Sequence, residues 1–327
     1  MILEGRYSIF SYLIIGQQLN FITIFKMTHY LFFGKLDLCN RLCYNNILRL
    51  NNKNNEDILM IQRAPGPDFV GVGVQKSGST WLTEVLRQHP EVFLPKKEID
   101  FYSRKFRKGY SWYHNWFSNK GDRVAGEFTP LYLISPLRNL SRKSNYPEWV
   151  PPRLYFWRKN PSARDELKAH YPGIRVFAIF RNPIDRAWSY YWFRIRIRKE
   201  GGRKIFPFEK MWNNDGRWIR TNGLYAQHLA CWREAFPNFG VFFYEDIKRD
   251  PFGLARAIYR FIGVDDKFTP DINHWPLKGE YEPMPPSIRE MLVDFYREQI
   301  LIFSAMTGRD LSHWLYTKEA SPRGDQQ

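Results

Sequence analysis

Apolar runs of strand length alternate with amphipathic stretches between residues 69 and 306 of this 327-residue chain. Phe69–Val74 is a continuous run of apolar residues and glycines, the pattern of a strand buried on both faces. From Ser79 to about Gln88, apolar Trp81, Leu82, Val85 and Leu86 recur at helical spacing. A short strand is expected at Arg123–Phe128 and a helix at Arg164–His170, closed by the breaker Pro172-Gly173. Ile174–Phe180 reads as a second buried strand. Pro183–Lys199 reads as a long helix, because Asn182 suits the N-cap, Pro183 suits a first position that needs no N–H, and Asp185 complements the helix dipole. Gly223–Phe236, Pro251–Ile262 and Pro286–Met306 are expected helices, and Gly240–Glu245 a strand. Strands alternating with helices predict an α/β fold: a central, mainly parallel sheet flanked by helices in three layers.

Residues 1–63 break this rhythm. They form an extension rich in Ile, Leu, Phe, Tyr, Asn and Lys, expected to be poorly ordered or membrane-associated. Tyr7–Phe25 carries no charge and approaches the roughly 20 residues that span a bilayer, but Gln17, Gln18 and Asn20 interrupt it. Lys26, Lys35 and Arg41 follow, a charge order that keeps the next domain cytoplasmic. A polar linker at 51–55 then leads to a domain expected over residues 64–316, with a polar tail at 317–327.

Composition narrows the partners. Lys and Arg total 49 against 33 Asp and Glu, a net charge of +16. That balance favours anionic partners such as nucleotides or sulfated and phosphorylated polymers. Three cysteines supply neither a disulfide framework nor a four-ligand zinc pattern, so a reducing compartment is the simpler expectation.

The candidate chemistry begins where the first strand meets the first helix. A glycine-containing turn there, Gln75-Lys76-Ser77-Gly78-Ser79-Thr80, aims backbone N–H groups and a helix N-terminus at an anion. Gly73, Gly78 and Thr80 match the G-x-x-x-x-G-K-[ST] spacing, but Ser79 stands at the lysine position and Lys76 is the loop's lysine. The cradle therefore suits a phosphate-bearing ligand without favouring Mg²⁺-assisted γ-phosphate chemistry. The strand Val176–Phe180 ends in Arg181, where nucleotide triphosphatases carry an aspartate for Mg²⁺. A cation at the carboxyl end of a central strand is a second anion site. Ser189 shares a helix face with Asn182 and adds a hydroxyl. The plainer roles are a salt bridge from Arg181 to Asp185 and helix packing for Ser189. Glu245-Asp246, after the strand Val241–Tyr244, resembles a metal-holding acid pair and keeps a kinase reading open.

Taken together these residues resemble the sulfotransferases that use 3′-phosphoadenosine 5′-phosphosulfate (PAPS), over residues 68–315. The resemblance implies a P-loop-like fold in which Lys76, Ser77, Gly78, Ser79, Thr80 and Trp81 hold the 5′-phosphosulfate end, with Trp81 stacked on adenine. It implies that Arg181 and Ser189 hold the 3′-phosphate, that Tyr225 lies near the adenine, and that Lys278 and Gly279 belong to a late loop closing on the 3′-phosphate. Lys96-Lys97-Glu98-Ile99-Asp100-Phe101-Tyr102 is similar to a segment of the carbohydrate (heparan-type) branch whose glutamate is the general base, which makes Glu98 the candidate base and Lys76 its catalytic partner. His114 is a more remote candidate base. Gly126-Glu127-Phe128-Thr129-Pro130 resembles another segment of that branch, with Phe128 replacing its lysine. The expected reaction is sulfuryl transfer from PAPS to a hydroxyl or amine, with a saccharide or other hydroxyl compound as acceptor, acidic ones included, and neither metal nor nucleic acid. A P-loop kinase acting on a small molecule and a non-catalytic polyanion binder are the alternatives.

Overall fold

The computed structural model describes residues 66–134, 162–214, 217–272 and 281–316. The extension 1–63, the tail 317–327, Lys278 and Gly279 lie outside the described residues.

Among the described residues, five strands form one sheet in the order β2-β3-β1-β4-β5. They are β1 (Phe69–Gly73), β2 (Val92–Phe93), β3 (Val124–Phe128), β4 (Arg175–Phe180) and β5 (Gly240–Phe243). Every pairing is parallel, with Val70 of β1 opposite Glu127 of β3 and Val176 of β4. The helices are α1 (Ser79–Gln88), α2 (Gly109–Asn115), α3 (Ala163–His170), α4 (Pro183–Glu200), α5 (Phe208–Asn214), α6 (Arg217–Thr221), α7 (Tyr225–Ala235), α8 (Asp246–Arg249), α9 (Pro251–Ile262) and α10 (Pro286–Thr307). The α/β class and the parallel sheet read from the sequence are the observed ones.

Strand alternation divides the core between two faces. Val70, Val72, Val176, Ala178 and Phe180 point into a layer with α4, α7 and α10. Phe69, Phe128, Phe177 and Ile179 point the other way, onto α1 and α9. Each of these residues is at most 2% exposed, and a fully buried side chain of this size contributes about 1.5–3 kcal/mol. Gly71 is required by this packing: a Cβ there would sit 2.0 Å from the Phe128 ring. Phe128, which replaces the lysine of the resembling segment, is thus a core side chain, edge-on to Phe177.

Several short elements were not expected from the sequence, α2 and α8 among them. β2 is only two residues long, too short to show a period. The 101–108 segment winds as one π-helical turn followed by a 3₁₀ turn before α2, with Asp100 at φ 62° opening it. α5 and α6 are short and sit among basic and aromatic residues that carry no clean apolar stripe.

Candidate active site

The carboxyl ends of β1 and β4 lie side by side, so the loops that leave them meet. The β1 loop is pinned to the sheet through Val74 N–H, which donates to Ile179 O at 2.9 Å. Lys76 adopts a left-handed backbone (φ 72°) and so does Gly78 (φ 87°), which caps α1. At Gly78 a side chain is excluded twice, by the left-handed φ and by Ile247 Cδ1, which would lie 2.6 Å from its Cβ. The loop thereby wraps over the α1 N-terminus. Ser77 is fully buried within it, and its hydroxyl has no hydrogen-bond partner. An orphaned buried hydroxyl beside a helix N-terminus fits a loop built to receive an anion.

Arg181 closes the other side. Its guanidinium donates to Lys76 O at 3.1 Å and to the Tyr281 hydroxyl at 3.4 Å, and lies 4.7 Å from the Tyr244 ring centroid. The Tyr225 hydroxyl donates to Arg181 O at 2.8 Å. Asp185, the plainer partner for Arg181, instead pairs with Arg289 at 3.3 Å. Asn182 caps α4 as expected, accepting from Ile184 N–H at 2.9 Å, and its amide donates to Trp314 O at 3.1 Å. Ser189 follows on α4 and is 5% exposed. The two anion sites read from the sequence are therefore joined by a direct hydrogen bond.

The two residues expected at the adenine are both buried. Trp81 is 3% exposed among the core side chains of α1 and α9, and Tyr225 is 1% exposed against Phe180 and Phe303. Both rings pack into the core, and the Tyr225 hydroxyl also fixes the Arg181 carbonyl. Single-sequence motif reading could not separate these roles, since an aromatic at a helix start serves both.

Glu98 stands on the segment that follows β2. Its neighbour Lys97 donates from Nζ to the Thr80 hydroxyl, which ties this segment to the cradle. Burial, then the nearby Asp100 carboxylate, raises the Glu98 pKa, while Lys97 and Arg104 oppose the shift. A carboxylate so placed is a stronger base once ionised. Lys76 moves the opposite way: burial, then Arg196, Arg181 and Lys97, lower its pKa to about 8. Its ammonium lies 4.9 Å from the Phe193 ring centroid. Lys97 and Arg196 are members of this cationic cluster that motif reading did not assign. Lys97 was discoverable as the residue beside the candidate base, whereas Arg196 reaches the cluster only through the placement of α4.

Beneath the Glu98 segment lies a second carboxylate. Glu127 on β3 is fully buried and accepts hydrogen bonds from the hydroxyls of Tyr113 (2.6 Å), Thr129 (2.7 Å) and Tyr132 (3.1 Å), and from the backbone of Ile99. Burial raises its pKa to about 7 against the pull of those donors. The Thr129 hydroxyl also accepts from Asp100 N–H at 3.4 Å. The residues on the C-terminal side of Glu98 are thus moored to this buried carboxylate. His114, the remote candidate base, is engaged with the Tyr171 hydroxyl at 2.6 Å.

The acid pair after β5 is committed elsewhere. Asp246 forms two hydrogen bonds with Arg309, at 2.6 and 2.9 Å, and Glu245 meets His313 and the Trp314 indole. The cap of α9 is Asp250, which accepts from Gly253 N–H at 2.8 Å.

Fold and site define a P-loop-like α/β protein whose neighbouring strand ends in a cation where metal-dependent nucleotidases place an acid. The chain belongs to the sulfotransferase domain family, whose pattern matches residues 66–279. It is 27% identical over 279 residues to mouse heparan sulfate glucosamine 3-O-sulfotransferase 3B1, covering 75% of this chain and 64% of that protein, just under two thirds of its length. It is 27% identical to human heparan sulfate glucosamine 3-O-sulfotransferase 6, covering 75% of this chain and 72% of the relative. The solved structure of a sulfotransferase from Alicyclobacillus acidocaldarius superposes with a TM-score of 0.60 at 25% identity, covering 76% of this chain and 99% of the other.

Proposed function

We propose that this chain transfers a sulfuryl group from PAPS to an acceptor hydroxyl or amine on a carbohydrate, by in-line displacement with Glu98 as general base. The observation that carries this reading is the cradle's pair of ties: Arg181 donates to Lys76 O at 3.1 Å, and Lys97, the residue beside Glu98, donates to the Thr80 hydroxyl. PAPS, when bound, supplies an activated sulfuryl group between a nucleotide phosphate and the acceptor. Ser77, Gly78, Ser79 and Thr80 offer hydroxyl and backbone donors to its 5′ end, and Arg181 with Ser189 takes the 3′-phosphate. Lys278 and Gly279 are proposed to cover that phosphate. Glu98 removes the acceptor proton, and Lys76 neutralises charge on the bridging oxygen as the nucleotide leaves.

A carbohydrate acceptor is supported by relatives whose names specify heparan sulfate glucosamine. For location, the cations after residues 7–25 support a cytoplasmic domain held near a membrane. One relative, the Dictyostelium discoideum sulfotransferase kil1, is named as membrane-associated and is 28% identical over 162 residues. No helix among the described residues is long and apolar enough to cross a membrane. The kinase alternative lacks support from the acid pair, which Arg309 neutralises.

Thermal melting tests the reading. PAPS is expected to raise Tm by several degrees at concentrations about 100-fold above Kd, where linkage gives roughly 2.7 kcal/mol. ATP with Mg²⁺ is expected to do less, and the reverse order would overturn the proposal. The pH dependence tests Lys76 separately. In the empty protein Lys76 loses its proton as pH rises through about 8, so affinity for adenosine 3′,5′-bisphosphate is expected to fall between pH 7 and 9. Calorimetry in two buffers of different ionisation heat is expected to show proton uptake on binding near pH 8. Affinity that stays flat across that range removes Lys76 from the phosphate site.

A further inference from the structure

The short helix α2 and the turn after it carry an unusual stripe. Trp112, Asn115, Trp116 and Asn119 are spaced i, i+3, i+4 and i+7, so they share one face. The opposite face supplies Tyr113 and Phe117 to the core, both fully buried. Both tryptophans pack against the core on one side and remain half-buried, while both asparagines are exposed. Phe93, Leu94 and Pro95 form the facing wall, and the groove between encloses about 460 Å³. That volume falls within the roughly 300–1,000 Å³ range of small-ligand sites.

The rim is cationic. Lys96 Nζ lies 5.5 Å from the Trp116 ring centroid, and Lys105 and Lys108 lie 5.7 and 5.5 Å from that of Trp112. Arg123 lies 4.6 Å from the Phe93 ring. Two links tie the groove to the candidate base. Its wall runs through Lys96 and Lys97 into Glu98. Lys105, while over Trp112, also donates to Ile99 O at 3.1 Å.

We propose that this groove is an acceptor subsite that holds an anionic saccharide unit flanking the one presented to Glu98, an inference that rests on the transferase reading above. Sugar rings have apolar C–H faces that pack on indoles and hydroxyls that meet asparagine amides. The lysines now resting on the tryptophans can turn to sulfate or carboxylate groups and expose the ring faces to the sugar. Charge complementarity selects an anionic saccharide over a neutral one.

Titration calorimetry on the full chain, with adenosine 3′,5′-bisphosphate present, tests the proposal. The probes are a heparin-derived octasaccharide, a neutral malto-octaose and a single-stranded DNA of equal charge. The heparin octasaccharide is expected to bind, more weakly as salt rises, and the other two to bind at least tenfold less tightly, about 1.4 kcal/mol by the standard conversion. Trp116→Ala is expected to weaken octasaccharide binding about tenfold, ordinary for truncating an aromatic anchor, with Trp116→Phe restoring most of it. Asn119→Asp, an exposed change that adds a negative charge at the rim, is expected to weaken it too. Unchanged affinity in Trp116→Ala and Asn119→Asp, or DNA binding as tight as the octasaccharide, overturns the subsite. The nucleotide-induced Tm rise, measured on the same variants, reports the cofactor site independently. Its loss in the unmodified chain sinks the transferase reading, whereas its retention with unaltered saccharide affinity sinks only the groove.

Discussion

Glu98→Gln is expected to lower kcat for sulfuryl transfer about 100- to 10,000-fold, the usual contribution of a positioned general base, while leaving PAPS affinity within about twofold of the original. The amide keeps the size of the side chain and cannot accept the acceptor's proton. The split follows from geometry: the cradle residues reach the nucleotide from β1 and β4, whereas Glu98 arrives on a separate segment tethered by Lys97 to Thr80. The pH profile sharpens the test. Burial and Asp100 raise the Glu98 pKa, so activity is expected to rise with pH on the acid limb as Glu98 ionises. Asp100→Asn removes the like charge and is expected to shift that limb to lower pH. Turnover retained in Glu98→Gln, measured with labelled PAPS on an acceptor that the unmodified enzyme sulfates, points to a different base.

Glu127 carries the second large effect. Glu127→Ala leaves the hydroxyls of Tyr113, Tyr132 and Thr129 and the Ile99 N–H without their buried acceptor. Each stranded donor costs about 1–3 kcal/mol, and the loss as a whole is expected to approach the total stability of an ordinary domain, about 5–15 kcal/mol. Glu127→Gln keeps the volume and one acceptor oxygen, so it is expected to fold. It separates the charge from the shape. The folded-state pKa of about 7 lies above the ordinary glutamate value of 4.5. The contribution of this carboxyl is therefore fully present below about pH 4.5 and is lost as pH rises through about 7. The span corresponds to roughly 3 kcal/mol. Denaturant titrations from pH 5 to 8 are expected to show a steeper decline in stability for the unmodified chain than for Glu127→Gln. Parallel curves contradict the assignment. A fall in kcat with unchanged PAPS affinity in Glu127→Gln marks Glu127 as positioning the Glu98 segment.

Much of this could be read from the chain because it is locally encoded. The bounds of α1 and α9 coincide with Ser79–Gln88 and Pro251–Ile262 as read from caps and periodicity. Asn182 and Pro183 marked the start of α4 through chemistry confined to three residues. The cradle was visible for the same reason: a strand, a glycine turn and a helix start are contiguous. What escaped depends on distant partners. Lys97 is one cation among many until the fold sets it against Thr80, and Arg196 acts on Lys76 only because α4 runs back past the β1 loop. Glu127 was one letter of a resembling segment, and its weight comes from tyrosines on other elements. Trp81 and Tyr225 show the converse: motif position is legible in one dimension, but which way an aromatic ring faces is decided by packing.

The central place of β1 also has a consequence for biosynthesis. β1 leaves the ribosome first among the described strands, yet its neighbours β3 and β4 begin at Val124 and Arg175. At roughly 5–20 residues per second, the chain needs about 5–20 s after β1 emerges before both flanks exist. During that interval a bare apolar strand with two unsatisfied edges is open to other chains. Parallel pairings this far apart in sequence also close slowly. Yield in a cell is therefore expected to respond to translation speed and to chaperones that mask extended apolar segments, even when the finished fold is stable.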